Sequence, residues 1–178
     1  LYGNMPLMEP LESREVKKIR EFVIAIDTSY STSGALVEQF LKETFSVLTQ
    51  KNSFFAQSKI RVIQCDNQVR SDVELRSERD IAALMQKFTV AGGGSTDFRP
   101  VFSYVNDLIE RGELKNIGGL LYFTDGYGTF PAKMPPYDTA FIFMKDDYRD
   151  VDVPPWAIKL ILDTQALERE RTVEHDEY

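Results

Sequence analysis

The chain alternates between short apolar runs and longer segments in which apolar residues recur at helical spacing. Residues 22–26 (FVIAI) are all apolar and rich in β-branched side chains, which is typical of a strand buried on both faces of a sheet. The run ends at Asp27, and a mostly small and polar segment, residues 28–34, follows it. Apolar residues then recur at the spacing of an amphipathic helix, at Val37, Phe40, Leu41, Phe45 and Leu48. This order predicts a strand, a polar loop and a helix.

The remaining apolar runs predict five more strands. Residues 59–66 and Val69–Leu75 flank a turn sequence at Asp66 and Asn67, so we expect them to pair as an antiparallel hairpin. The other three predicted strands are Ile117–Phe123, Thr139–Met144 and Ile158–Leu162.

Two more helices are expected between these strands. Ser77 and Asp80 have the spacing of a capping box, and Pro100 stands early in a third helix, where its missing N–H costs no hydrogen bond. Strands of the buried type that alternate with helices predict an α/β domain. We expect a doubly wound, Rossmann-like, mainly parallel sheet of about six strands, with one antiparallel edge strand and helices on both faces.

The length and composition fit one globular domain with a core of its own. The chain has 178 residues, of which 43% are hydrophobic and 28% charged, which excludes disorder as its main state. We place the domain at residues 19–165, after a lead-in or linker at residues 1–18 and before a charged tail at residues 166–178. Because the sequence begins at Leu1, we expect it to be a piece of a longer chain.

Charge and cysteine content exclude several classes of function. The net charge of −7 repels a polyanion, so a nucleic-acid partner is not expected. The single cysteine, Cys65, excludes an internal disulfide and any site with several thiolate ligands, and it favours a cytoplasmic protein. No apolar run has the ~18 to 20 residues that a membrane span needs, so a membrane partner is not expected either. The sequence leaves the oligomeric state open.

Three polar loops carry side chains with oxygen atoms at predicted strand or helix ends. In an open α/β sheet, ligands bind outside the carboxyl ends of the strands, so such loops converge. Hydroxyls with two or three carboxylates suit Mg²⁺ or Mn²⁺ better than a metal that prefers soft ligands. The oxygen-bearing residues are Asp27, Ser29 and Ser31 in the first loop, Thr96 and Asp97 in the second, and Thr124 and Asp125 in the third.

These loops resemble the metal-ion-dependent adhesion site of von Willebrand factor A-like domains. Residues 27–31 (DTSYS) match the D-x-S-x-S signature of that family, and residues 92–96 (GGGST) and 123–126 (FTDG) stand in the places of its other two segments. The resemblance covers about residues 22–163. It implies that Mg²⁺ or Mn²⁺ is bound directly by hydroxyls and partly through water by two aspartates. The implied ligands are Ser29, Ser31 and Thr96, then Asp27 and Asp125, with Asp97 as an additional candidate.

A closer resemblance is to the C-terminal A-like domain of a bacterial family. Residues 92–100 (GGGSTDFRP) and the lead-in carry it, and the N-terminal part of that family resembles a zinc metallopeptidase. This chain has no His-Glu-x-x-His motif, and its one histidine is His175. Any peptidase activity is therefore expected in another part of a longer chain.

The resemblance implies a protein-interaction module whose cation binds a carboxylate of a partner. The partner would offer an Asp or Glu side chain or a C-terminal carboxylate. Tyr30, Phe98 and Tyr127 flank the implied ligands, and aromatic residues at the rim of such a site are expected to contact the partner. The alternative for Phe98 in particular is a place in the core.

Other interpretations stay open at this point. Asp27, Ser29 and Ser31 also suit the N-terminal cap of the first helix, and the domain could be a scaffold with a vestigial site. An Mg²⁺-assisted hydrolase is the competing class of function. We do not expect an enzyme, because the three loops contain no His, Lys or Cys to act as a base or nucleophile.

Overall fold

The structure, a computed structural model, describes residues 20–28, 37–42, 58–87, 96–144 and 152–163. Its strands are β1 (Glu21–Asp27), β2 (Lys59–Cys65), β3 (Val69–Leu75), β4 (Thr96–Asp97), β5 (Ile117–Phe123), β6 (Gly128–Thr129), β7 (Thr139–Met144) and β8 (Ile158–Leu162). Its helical segments are α1 (residues 37–42), α2 (Glu78–Gln86) and α3 (Arg99–Glu110).

Several predictions lie outside the described residues. These include the lead-in at residues 1–18, the tail at residues 166–178 and the second half of the first helix. Ser29, Tyr30 and Ser31 of the first polar loop are also outside them. Among the described residues, no helix is both long and apolar enough to cross a lipid bilayer.

Six strands form one sheet in the order β3-β2-β1-β5-β7-β8. In this spatial order, the four pairings β2-β1, β1-β5, β5-β7 and β7-β8 are parallel. Only β3 runs antiparallel, as the hairpin partner of β2. Strand β1 lies between β2 and β5, and Val23, Ile24 and Ala25 are fully buried. The predicted sheet, its antiparallel edge strand and the interior position of the first strand are therefore confirmed.

Helices cover both faces of the sheet, as the alternation of apolar residues along the strands requires. On one face, α3 packs against inward-facing residues such as Val23, Ala25 and Tyr122. On the other face, α1 and α2 pack against residues such as Ile24 and Val62. Consecutive residues of β1 therefore belong to different halves of the core, which explains why this strand has no polar face.

Local signals in the sequence are confirmed at the hairpin and at the start of α2. The backbone N–H of Asp66 donates to the carbonyl of Gln68 at 3.0 Å and closes the turn between β2 and β3. The backbone N–H of Ser77 donates to the Asp80 carboxylate at 2.8 Å. This contact satisfies a donor ahead of the first turn of α2, as a capping box does.

The segment between β5 and β7 contains no helix, although it crosses between parallel strands. Its regular structure is β6, two residues long, which pairs in parallel with β4 as a separate two-stranded sheet. Three prolines in residues 131–136 disfavour a helix there. This small sheet, together with the carboxyl ends of β1 and β5, forms the part of the molecule that we call the site edge.

Candidate metal centre

The carboxyl ends of β1 and β5 bring two predicted site segments into contact. Ile26 of β1 and Phe123 of β5 are register partners in the parallel pair. Asp27 follows Ile26 and Thr124 follows Phe123, so both residues lie at the same edge of the sheet. The hydroxyl of Thr124 donates to Oδ2 of Asp27 at 2.8 Å. Both side chains are buried, at 3% and 1% exposure respectively. Asp27 is therefore held in one orientation at the end of the central strand.

The turn after Thr124 fixes the third loop. The backbone N–H of Gly126 donates to the Thr124 hydroxyl at 3.1 Å, and the backbone N–H of Tyr127 donates to Oδ1 of Asp125 at 3.0 Å. Gly126 has φ +88°, a left-handed conformation that glycine adopts without strain. These bonds fix the Asp125 carboxylate in the turn that directly follows Thr124, at the same edge of the sheet as Asp27.

The small sheet of β4 and β6 ties the second loop to the third. Thr96 is the register partner of Gly128, and the backbone N–H of Phe98 donates to the Thr129 carbonyl at 3.1 Å. A Cβ atom on Gly128 would lie 2.7 Å from Cζ of Phe98 and 2.9 Å from the carbonyl oxygen of Thr96. Only glycine allows this approach, so Gly128 sets the distance between the two loops.

Asp97 has a different environment from Asp27. Its carboxylate oxygens accept from the guanidinium of Arg99, with Nε to Oδ1 at 2.9 Å and Nη2 to Oδ2 at 2.7 Å. The hydrogen bond from the Arg99 side chain lowers the pKa of Asp97. Asp97 is therefore an ionised partner of Arg99 here, and binding of a cation by this carboxylate would have to break that pair.

Next to Asp27, around its register partner Cys65, lies a buried group of neutral polar side chains. The Thr28 hydroxyl donates to the Cys65 carbonyl at 2.9 Å, and Sγ of Cys65 lies 3.1 Å from Oη of Tyr122. Burial is the largest cause of two pKa shifts here: the pKa of Cys65 is raised to about 12, and the pKa of Tyr122 is raised well above its usual range. Both groups are protonated at neutral pH, and the nearby Asp27 charge contributes to these shifts.

The donor set of the site edge fits a hard divalent cation. Within the ranges that the structure describes, no three His, Cys, Asp or Glu side chains come together as metal ligands, so Asp27, Asp97 and Asp125 do not form a cluster of three carboxylates. A site with two aspartates and several hydroxyls suits Mg²⁺ or Mn²⁺. The hydrogen bond from Thr124 joins the segment of Asp125 to Asp27. The pairing of β4 with β6 joins the segment of Thr96 to the strand that follows Asp125. The positions of Ser29 and Ser31 lie outside the described residues.

The predicted aromatic rim is corrected at one position. Phe98 is fully buried, at 0% exposure, and its ring centroid lies 5.0 Å from that of Tyr122 and 4.8 Å from that of Phe130. The prediction that Phe98 contacts a partner is therefore wrong, because the turn into α3 directs the ring into the core. Tyr127 is 50% exposed and is available for contact, and Tyr30 lies outside the described residues.

One residue of the site edge, Gly128, is not indicated as a site residue by the sequence. It lies in a strand of two residues, which is too short to leave a periodic pattern, and its only signal is its closeness to Asp125 in the sequence. Thr124 is among the oxygen-bearing residues that the sequence indicates, but its hydrogen bond to Asp27 depends on the register of β1 and β5.

Comparison with known families gives one match. A family model described as a VWA-like domain (DUF2201) matches residues 22–163. These residues contain β1 to β8 except Glu21, together with all three loops. No curated protein matches the chain.

Solved structures show the same fold at low sequence identity. The SpRpn10 VWA domain is 11% identical over 81% of this chain and 88% of its own, with a TM-score of 0.50. A conserved hypothetical protein, BatB from Bacteroides thetaiotaomicron, is 12% identical over 89% of this chain and 100% of its own, with a TM-score of 0.51. An aerotolerance-related membrane protein from Bacteroides fragilis, carrying multiple mutations to serine, is 12% identical over 87% and 97%, with a TM-score of 0.50. At such identities the likeness is one of fold.

Proposed function

Since this chain belongs to the family of VWA-like domains described as DUF2201, and VWA-like domains are generally protein-interaction modules, we propose that it binds a protein partner through a metal ion. The ion is Mg²⁺ or Mn²⁺, held at the site edge. The partner supplies an Asp or Glu side chain or a C-terminal carboxylate. The domain works in the cytoplasm as a part of a longer bacterial protein.

The observation that carries this proposal is the hydrogen bond from Thr124 to Asp27. It orients one buried carboxylate at the end of the central strand, and the residue that follows Thr124 is the second aspartate, Asp125. Two carboxylates and the hydroxyl of Thr96 then belong to segments that are joined by hydrogen bonds. Ser29 and Ser31 complete the proposed ligand set.

The choice of ligands explains why a carboxylate is the expected partner group. The direct ligands in this proposal are neutral hydroxyls, and the two aspartates bind partly through water, so the ion stays electrophilic and accepts one more anionic oxygen. The chain carries a net charge of −7, which repels an acidic partner at long range. The ion therefore has to supply the attraction at short range, where salt screens it little. The exposed ring of Tyr127 adds apolar contact beside it.

We propose this binding role in preference to catalysis. The three loops contain no His, Lys or Cys, so only carboxylates and hydroxyls are available as a general base or nucleophile. Asp97, the carboxylate nearest to Thr96 in the chain, is paired with Arg99. A hydrolase that used Mg²⁺ alone would have to activate water without a side chain of ordinary catalytic pKa.

Titration calorimetry with MgCl₂ and MnCl₂ tests the metal site. The wild-type chain should bind one ion, and Asp27→Asn, which keeps the size of the side chain and an oxygen that can accept from Thr124, should bind at least about tenfold more weakly. Asp107→Asn is the control, since it removes an exposed carboxylate of α3 that lies outside the three loops. Equal heats for the wild type and Asp27→Asn would refute the proposal.

A binding assay tests the role of the ion. Peptides that end in a free carboxylate, and their amidated forms, should distinguish a metal-bridged complex from a metal-independent one. Binding should require the ion, should be lost in chelator and in Asp27→Asn, and should survive in Asp107→Asn. Binding that persists unchanged in chelator would place the interaction elsewhere on the domain.

A further inference from the structure

The ion pair of Asp97 and Arg99 directly follows the proposed ligand Thr96, at the turn from β4 into α3. Two nitrogens of the Arg99 guanidinium contact both oxygens of the Asp97 carboxylate, with Nε to Oδ1 at 2.9 Å and Nη2 to Oδ2 at 2.7 Å. The backbone N–H of Arg99 also donates to Oδ1, at 3.0 Å. A bidentate pair of this kind fixes the direction of a carboxylate. Asp97 is therefore held toward the first residue of α3.

Asp97 lies within electrostatic range of the same buried group as Asp27. Burial is the largest cause of the raised pKa of Tyr122, and the charges of Asp27 and Asp97 both contribute to it. The Tyr122 hydroxyl lies 3.1 Å from Sγ of Cys65, the register partner of Asp27. In the part of the chain that the structure describes, no three acidic side chains come together as metal ligands. Asp97 is thus a carboxylate near the site whose direction is set by Arg99.

A carboxylate of the chain itself can take the ion position that the proposed function leaves to the partner. Mg²⁺ has octahedral coordination and usually keeps water beside one or two carboxylates. A carboxylate tethered next to the site competes at a high effective concentration, whereas the partner's carboxylate arrives from solution. Because Asp97 directly follows Thr96, it would be a strong competitor if its side chain were free to turn.

We infer that Arg99 is a positioning residue that holds Asp97 away from the ion and so keeps one ion position open for the partner's carboxylate. The inference rests on the proposed function, because it presupposes the bound ion. Among the described residues, the Arg99 side chain bonds to Asp97 alone, and it is 59% exposed. Replacing Arg99 therefore removes this pair without opening the core.

Three variants test the inference. Arg99→Met removes the guanidinium and keeps a long, unbranched side chain. Arg111→Met is the matched control, since it removes the same charge and an exposed contact with Glu113 at the other end of α3, roughly 18 Å away at 1.5 Å per residue. The double variant Arg99→Met with Asp97→Asn removes the competing carboxylate as well. Melting temperatures close to that of the wild type check that all three fold.

The first measurement is the Mg²⁺ affinity by titration calorimetry. It should rise about two- to fivefold in Arg99→Met, because the gain is limited by the strength of the exposed ion pair that is removed. It should not rise in Arg111→Met, and the gain should be lost in the double variant.

A second measurement is needed because the freed charge of Asp97 attracts a cation even without contact. With Mn²⁺ as the probe, the relaxation of water protons reports how many waters the bound ion holds. Arg99→Met should lose one of these waters to Asp97, and the double variant should regain it. Acetate, the simplest carboxylate probe, should bind the Mn²⁺-loaded site more weakly in Arg99→Met than in the wild type or the double variant.

The inference is overturned if Arg99→Met and the wild type hold the same number of waters on Mn²⁺, or if the double variant shows the same changes as Arg99→Met. Either result leaves the proposed function standing as long as the wild type binds the ion and acetate. A wild type that binds neither Mg²⁺ nor Mn²⁺ overturns both proposals. The wild-type titration therefore separates a failure of the proposed function from a failure of the role of Arg99.

Discussion

The site edge has two layers whose residues are close in sequence but differ in their surroundings. The buried layer contains Asp27, Thr124 and Phe98, all at 3% exposure or less. The exposed rim contains Tyr127, at 50% exposure, and the Asp97–Arg99 pair. Phe98 directly follows Asp97, and Tyr127 lies three residues after Thr124. A position in a loop therefore does not tell whether a residue shapes the site or faces a partner, and the effect of a mutation should differ sharply between the layers.

The largest effect on stability is expected from Phe98→Ala, compared with Tyr127→Ala. Phe98 packs against Tyr122, Phe130 and Phe141 with ring centroids 4.8 to 5.7 Å apart. Removing a fully buried phenylalanine costs about 3 to 5 kcal/mol, whereas a half-exposed tyrosine should cost far less. Urea unfolding of the two variants measures the difference. Similar losses would contradict the assignment of Phe98 to the buried layer and Tyr127 to the rim.

Thr124→Val should come next, because it replaces a buried hydroxyl by a methyl group of similar size. The Asp27 carboxylate then loses the donor at 2.8 Å, and a hydrogen bond to a charged group contributes about 1.5 to 3 kcal/mol. Thr124→Ser, which keeps the hydroxyl, is the control and should retain more stability than Thr124→Val. Calorimetric Mg²⁺ affinity should follow the same order, and equal behaviour of the two variants would show that the hydrogen bond has no structural role.

Gly128→Ala should produce a smaller loss of stability, with a clear effect on the metal site. Its Cβ would meet Phe98 and Thr96 at under 3 Å, and such overpacking costs about 1 to 3 kcal/mol. Because the loops must separate, Mg²⁺ affinity should fall as well. Gly119→Ala is the control, since a Cβ there would lie 3.4 Å from the Asp138 carbonyl oxygen, an ordinary van der Waals contact. Unchanged Mg²⁺ affinity in Gly128→Ala would mean that the small sheet does not position Thr96.

Asp97→Asn should have the smallest effect, because exposed ion pairs contribute little. The bond from Arg99 lowers the pKa of Asp97 in the folded state, so its contribution is present above the unfolded value of about 3.9 and is lost as pH falls through the lowered pKa. The melting temperatures of wild type and Asp97→Asn should differ slightly at pH 7, and the difference should shrink as the pH falls below about 3.9 and through the lowered pKa of Asp97. A difference that grows in acid would give the opposite sign and refute this account.

The sequence predicted most of the fold because its strands are long and their surroundings uniform. Strands β1 and β5 are buried on both faces, so their apolar runs are unbroken, and the capping box at Ser77 and Asp80 depends only on local spacing. Strand β8 was located correctly, but Ile158, Leu160 and Ile161 are 42% to 55% exposed. Its position at the edge of the sheet depends on the order of strands, which an apolar pattern does not contain.

The sequence indicated which residues are candidates for the site, but not which of them are buried and which are exposed. The motif segments indicated which loops meet at the site edge, since parallel strands end at the same edge, and the structure joins the segment of Asp27 to that of Thr124 and the segment of Thr96 to that of Gly128. The direction of Phe98, the bond of Thr124 and the close approach at Gly128 each depend on contacts between loops that are distant in sequence. Whether a cation binds at all, and whether its ligands are Asp27, Ser29, Ser31, Thr96 and Asp125 with or without Asp97, stays a prediction.

The burial of Cys65 has a practical consequence for measuring motion at this site. It is the only cysteine of the chain, it is fully buried, and a pKa of about 12 keeps it in the unreactive thiol form. A thiol reagent can modify Cys65 only when the strands around it open locally, so the rate of labelling reports on local opening of this part of the sheet. Because Cys65 does not react in the folded protein, a fluorophore attached to the variant Tyr127→Cys labels that one position and reports on contact with a partner.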